Sequence, residues 1–244
     1  LSAQSEKNLY EFLSCEKNYI LPVPMINIIN GGSHGDNNVD IQEFMIAPVG
    51  APNFVEAVRY GCEIFHSLKS KLKSKGFNTN IGDEGGFAPD ISSSKQAIEL
   101  ILESIIATGL KTNRDIVLSL DVASSEFFEN HKYNLKGEKK IYSSDQMIDY
   151  LKNLTSSYPI YSIEDGISED DWDGWKNLTQ ELGNKIQLVG DDLFVTNIDR
   201  LQRGIENNIA NSILVKVNQI GTLTETLLTI NLAKKNNYSY VISH

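Results

Sequence analysis

Short apolar runs alternate with longer amphipathic stretches along most of the chain. Ile116–Leu120, Pro159–Ile163, Ile186–Val189 and Ile213–Val217 are dense in Ile, Val and Leu, and stretches with helical spacing of apolar positions separate them. Such runs are too short for helices and predict buried parallel strands joined by crossover helices. Two further runs lie upstream, Met25–Asn30 and Val39–Pro48, and another at the far end, Tyr238–Ser243. The loop between the two upstream runs is brief, which suits an antiparallel pair better than a helical crossover. Helices are expected near Phe54–Lys75, Lys95–Ala107, Ser144–Tyr158, Asp170–Leu182, Asn197–Asn207 and Thr222–Lys235. The pattern predicts an α/β fold, a β/α barrel with an irregular antiparallel start and one strand fewer than the eight that close such a barrel.

The segment Leu21-Pro22-Val23-Pro24 reads as an extended linker, because proline disfavours helix on its amino side. Residues 1–20 are therefore expected to be the partly helical tail of a preceding unit, and 21–244 the barrel. Leu1 at the start and His244 at the end of a strand-like run suggest a central portion without both native ends.

The apolar runs end, or nearly end, in ionised side chains: Asp121, Glu164, Asp191 and, inside the last run, Lys216. In a β/α barrel the carboxyl ends of the strands converge on one face, so three acids and a lysine are expected to meet there. Three carboxylates suit a hard divalent cation such as Mg2+. A lysine beside that cation, in a dry site, is expected to have a lowered pKa and to serve as a base. Taken singly, an Asp after a strand is more often a helix cap or turn former; four ionised residues at equivalent positions favour a site.

Gly82-Asp83-Glu84-Gly85-Gly86 presents a carboxylate between glycines that let a backbone approach closely, a reading balanced against an acidic turn with no function. Asn30-Gly31-Gly32-Ser33-His34 lacks the lysine and helix context of a phosphate loop. His34 and His244 are expected on the same rim as candidate site residues, His66 is read as structural, and His131 sits in a polar, hairpin-like insertion. The two tryptophans, Trp172 and Trp175, are expected to pack inward from a helix that begins after an acidic run.

Composition narrows the class. With 244 residues, 41% of them hydrophobic, the chain has enough apolar material for one barrel-sized domain. A net charge of −10 argues against a broad nucleic-acid or anionic-membrane surface. Cys15 and Cys62 make no disulfide or metal framework, which points to a reducing cytoplasm, and no stretch is long enough for a membrane span.

The ordered series Ser33-His34, Gln42-Glu43-Phe44-Met45-Ile46, Gly82–Gly86, Ser162-Ile163-Glu164-Asp165, Gly190-Asp191-Asp192 and Leu214–Gly221 resembles the enolase family across essentially the whole chain. That resemblance implies the reversible, Mg2+-dependent dehydration of 2-phosphoglycerate to phosphoenolpyruvate in glycolysis and gluconeogenesis, by a cytoplasmic homodimer or higher homo-oligomer. It implies Asp121, Glu164 and Asp191 as metal ligands, Lys216 as the base, and Glu84 as the acid assisting departure of the hydroxyl. Glu43 is implied nearby, with His34, Gln42 and His244 lining the substrate pocket. The chain departs from the family pattern at Gly166, commonly proline, so a more mobile loop is expected there. The lid serine, phosphate-gripping arginine and second lysine of the family are expected outside residues 1–244, leaving this stretch alone inactive. The alternatives are a scaffold without catalysis, or a related enzyme acting on a different carboxylate acid; an acid, a base and three ligands retained together weigh against a scaffold.

Overall fold

A computed structural model describes residues 2–14 and 18–244; Cys15, one of the two cysteines considered above, lies outside the described residues. After the short exposed helix α1 (Leu9–Leu13) come strands β1 (Ile26–Asn30) and β2 (Glu43–Ala47), then helices α2 (Phe54–Ser74) and α3 (Ser94–Ala107). Strand β3 (Val117–Asp121) leads into a small excursion, β4 (Phe128–Glu129), β5 (Lys132–Leu135) and β6 (Lys140–Tyr142). The chain then runs through α4 (Ser144–Ser157), β7 (Ile160–Glu164), α5 (Trp172–Leu182), β8 (Gln187–Gly190), α6 (Ile198–Glu206) and β9 (Ser212–Val215). It finishes with α7 (Val217–Ile220), α8 (Leu223–Lys235) and β10 (Ser239–Ile242).

The main sheet has seven strands in the order β1-β2-β3-β7-β8-β9-β10. Strand β2 is antiparallel to both β1 and β3, and from β3 onward every pair is parallel. This is the expected barrel sheet with its irregular start. The sheet curls, since side chains from β1 and β10, at opposite ends of the strand order, line one cavity. Strands β3 and β9 are buried throughout, as parallel strands covered on both faces must be. The helices start where side chains satisfy their first free N–H groups: Asn53, Ser93, Asn197 and Thr222 each accept from the opening turn, and Ser143 with Gln146 forms a capping box.

The differences from expectation are local. The run from Val39 to Pro48 is strand only from Glu43, and Val39 and Ile41 are buried in the preceding loop instead. The insertion around His131 is the separate antiparallel sheet β4-β5-β6. Trp175 is fully buried, while Trp172 is half-buried beneath the Arg203 guanidinium, 3.7 Å from the ring centroid. His66 faces solvent on α2 rather than the core. Gly166, where a looser loop was expected, is buried; a side chain there would press on Leu151 and Ile163 at 3.0 Å, so the missing Cβ serves packing. Among the described residues no helix is long and apolar enough to cross a membrane.

Candidate active site and metal centre

The carboxyl-terminal rim of the sheet is where the ionised residues gather. Asp121 ends β3 and Glu164 ends β7, and the two are direct neighbours in the parallel ladder. Glu43 pairs with Asp121 from the other side. It stands at the amino end of its strand, and reaches this rim only because β2 runs backwards. Val189 pairs with Glu164, so Asp191, two residues on, projects from the same face as Val189. Lys216 follows β9 as the residue before α7, just beyond the strand rather than within it.

All nine residues expected in the site line one cavity of about 510 Å3: His34, Gln42, Glu43, Glu84, Asp121, Glu164, Asp191, Lys216 and His244. Lys216 Nζ donates to Asp191 Oδ2 at 2.6 Å, and Gln219 Nε2 donates to Asp191 Oδ1 at 3.2 Å. Gln42 Nε2 and the Ala123 amide each donate to Asp121 at 3.0 Å. His34 Nδ1 lies 3.0 Å from Glu43 Oε1, and His244 Nε2 lies 3.7 Å from Glu84 Oε1. The glycine turn carrying Glu84 is bound to the His34 loop: Asp83 N donates to His34 O and Gly86 N to Asn30 Oδ1. A Cβ at Gly82 would overlap the His34 carbonyl oxygen, so this glycine permits a backbone-to-backbone approach.

The electrostatics follow from packing many acids around one lysine. Burial and the Glu84 carboxylate push Glu43 up to about 7, and burial and Glu43 push Asp121 up to about 7. Burial and Asp121 hold both Glu164 and Asp165 well above the usual carboxylate range. Burial pushes Lys216 down, but the hydrogen bond to Asp191 and the charges of Asp191, Glu164 and Asp121 outweigh it, leaving the ammonium above its usual pKa. The lowered value expected from sequence belongs to a lysine beside a bound cation. The carboxylates that gather around the lysine stabilise its charged form.

Among the described residues two close-set groups could hold a metal ion, and neither brings Asp121 and Glu164 together with Asp191. In one, carboxylate oxygens of Asp165, Asp191 and Asp192 lie within 4.8 Å of one another; in the other, a ring nitrogen of His34 and carboxylate oxygens of Glu43 and Glu84 do. Asp165 is the residue that sequence reasoning missed. Its backbone is left-handed (φ 40), and its buried carboxylate accepts from the amides of Asp191 at 3.0 Å and Asp192 at 2.8 Å. Period-two alternation directs Asp165 away from the face of Glu164, and only the left-handed turn brings it beneath Asp191. Glu126 was also missed. It lines the cavity and accepts from Ser33 Oγ at 2.9 Å, tying the His34 loop to the turn after β3.

The profile of the family described as "Enolase, C-terminal TIM barrel domain" matches residues 18–244. The enolase of Natranaerobius thermophilus is 58% identical over 236 residues, covering 97% of this chain and 55% of that protein. The chain thus spans about half the length of this curated relative. With its curled, mostly parallel sheet and its rim of acids, the chain belongs to the enolase family, over the carboxyl-terminal barrel domain that the profile describes.

Proposed function

We propose that this barrel belongs to a hydro-lyase that interconverts 2-phosphoglycerate and phosphoenolpyruvate with Mg2+. The observation that supports this best is the placing of Lys216 and Glu84 in one cavity with Asp121, Glu164 and Asp191. Glu43 is close enough to feel the charges of both Glu84 and Lys216, so the two proton-transfer groups border the same space. The donor set fits the ion. Asp121, Glu164 and Asp191 offer oxygen alone, in a cavity where carboxylates outnumber cations, which suits a hard divalent metal.

In this reading Asp121, Glu164 and Asp191 hold Mg2+, which when bound supplies electrostatic stabilisation of the charge that develops on the substrate carboxylate. Lys216, whose Nζ stands at this rim against Asp191, would take the proton beside the substrate carboxylate. Glu84 delivers a proton to the departing hydroxyl, and Glu43 stands ready beside it. His34, Gln42 and His244 contact the substrate. A homodimer fits the family's habit.

The test is ultraviolet-monitored formation of phosphoenolpyruvate by the complete protein with Mg2+, together with calorimetric Mg2+ titration of Asp121→Ala, Glu164→Ala and Asp191→Ala. Each variant is expected to bind Mg2+ more weakly and to lose about 100-fold or more in turnover. Unchanged Mg2+ affinity in all three would defeat the assignment.

A further inference from the structure

The turn that follows β8 carries backbone strain beside the site. Val195 and Thr196 both have left-handed backbones, with φ of 44 and 54. β-branched residues avoid that region, and two in succession persist only where their surroundings hold them there. The Asp191 carbonyl oxygen accepts from the amides of Phe194 and Val195 at 3.1 and 2.7 Å, which winds the turn around Asp191. From α8, the Thr229 hydroxyl donates to the Thr196 carbonyl oxygen at 2.9 Å.

This turn buries the Thr196 side chain completely and brings its hydroxyl to the backbone of Lys216. Thr196 Oγ1 accepts from the Lys216 amide at 2.9 Å and has one proton to give; Gln219 Oε1 at 3.0 Å is a nearer acceptor than the Leu214 carbonyl oxygen at 3.4 Å. Gln219 Nε2 in turn donates to Asp191 Oδ1, while Asp191 Oδ2 accepts from Lys216 Nζ. The bonds close a ring that leaves the Lys216 main chain and returns to its side chain. The carboxylate can only accept, so the Gln219 amide turns its nitrogen to Asp191 and its oxygen to Thr196. Gln219 is exposed on the short helix α7, so these bonds are not those of a core residue.

We propose that Thr196 and Gln219 are positioning residues, which hold the Asp191 carboxylate and the Lys216 main chain in one unit. What the unit serves rests on the function proposed above: Asp191 presents its oxygens to Mg2+ at a fixed angle, and Lys216 approaches the substrate from a fixed side. A metal ligand free to rotate binds its ion less well, and a misplaced base loses rate.

The experiment compares the complete protein with Gln219→Leu, Thr196→Val, Thr196→Ser and Asp191→Ala, each checked for fold by far-ultraviolet circular dichroism. Mg2+ is titrated calorimetrically without substrate, and exchange of the C2 proton of 2-phosphoglycerate with deuterated solvent is followed at saturating Mg2+. Gln219→Leu and Thr196→Val should each bind Mg2+ about tenfold or more weakly, and exchange should slow by about tenfold to 100-fold with the Michaelis constant little changed. Thr196→Val keeps the volume without the hydroxyl, and Thr196→Ser keeps the hydroxyl without the methyl group. Thr196→Ser should therefore stay close to the unaltered protein, whereas a packing role would reverse the order of the two. Should Thr196→Val not fold, Gln219→Leu, altered at an exposed position, decides. Mg2+ affinity unchanged in folded Gln219→Leu but reduced in Asp191→Ala would overturn the proposal and leave the metal assignment standing. If the unaltered protein exchanges no proton, the proposed reaction falls, and the Mg2+ titrations still decide the positioning.

Discussion

Glu43 and Asp121 stand opposite each other across the antiparallel β2–β3 ladder, each with a pKa of about 7 in place of the ordinary 4.5 and 3.8. Burial is the main cause for both, followed by Glu84 for Glu43 and by Glu43 for Asp121. Such a pair sits well only with charge compensation. The fold has brought like charges together at a site whose proposed ligand is a cation.

This relationship sets a pH dependence. From about pH 4 to 7 the folded protein keeps protons that the unfolded chain has released, so stability falls as pH rises through that window. A tenfold change in proton affinity is about 1.4 kcal/mol, and Glu43 alone contributes on the order of 3 kcal/mol to the fall. Melting temperatures of the complete protein in chelator should therefore drop between about pH 4 and 7, and saturating Mg2+ should flatten the drop. A flat profile in chelator would show that these acids do not repel as described.

Asp165 positions rather than reacts. Replacing it by Ala leaves the Asp191 and Asp192 amides without their buried acceptor, at a cost of about 1–3 kcal/mol for each unmet group. Asp165→Asn keeps one acceptor and suits the left-handed backbone. Asp165→Ala should lower the melting temperature and weaken Mg2+ binding, and Asp165→Asn should restore part of both. Equal Mg2+ affinity in Asp165→Ala and the unaltered protein would remove Asp165 from the metal centre's support.

The small β4-β5-β6 sheet steadies the loop that carries His34 and Gln42. The amides of Gly137 and Glu138 donate to the Asp40 carboxylate at 2.9 and 3.0 Å, and a Cβ at Gly137 would overlap the Asn38 carbonyl oxygen. Gly137→Ala should therefore destabilise the protein by about 1–3 kcal/mol. It should also raise the Michaelis constant through the displaced loop. A denaturant midpoint and a Michaelis constant both unchanged would contradict this docking.

The parts of the site that were legible in sequence are those governed by strand periodicity. Asp121 and Glu164 each close an apolar run, and Asp191 follows one by a single residue, so a parallel sheet alone sends them to one rim. Glu43 was reachable only through family resemblance, because its position depends on β2 running backwards. Asp165 and Gly137 depend on a left-handed turn and on a contact between distant loops, neither of which leaves a periodic trace. Nor does periodicity show that the nearest partner of Lys216 is the Asp191 carboxylate.

The central claim, that Lys216 takes the proton and Glu84 assists the hydroxyl's departure, is tested most directly by exchange of the substrate's C2 proton. The complete protein, Lys216→Ala and Glu84→Gln are incubated with 2-phosphoglycerate and Mg2+ in deuterated solvent, and loss of the C2 proton signal is followed by nuclear magnetic resonance alongside phosphoenolpyruvate formation. The account predicts that Lys216→Ala loses both exchange and dehydration, whereas Glu84→Gln retains some exchange without dehydration, because base and acid act on different bonds. Exchange at the unaltered rate in Lys216→Ala would contradict it and assign the base to another residue.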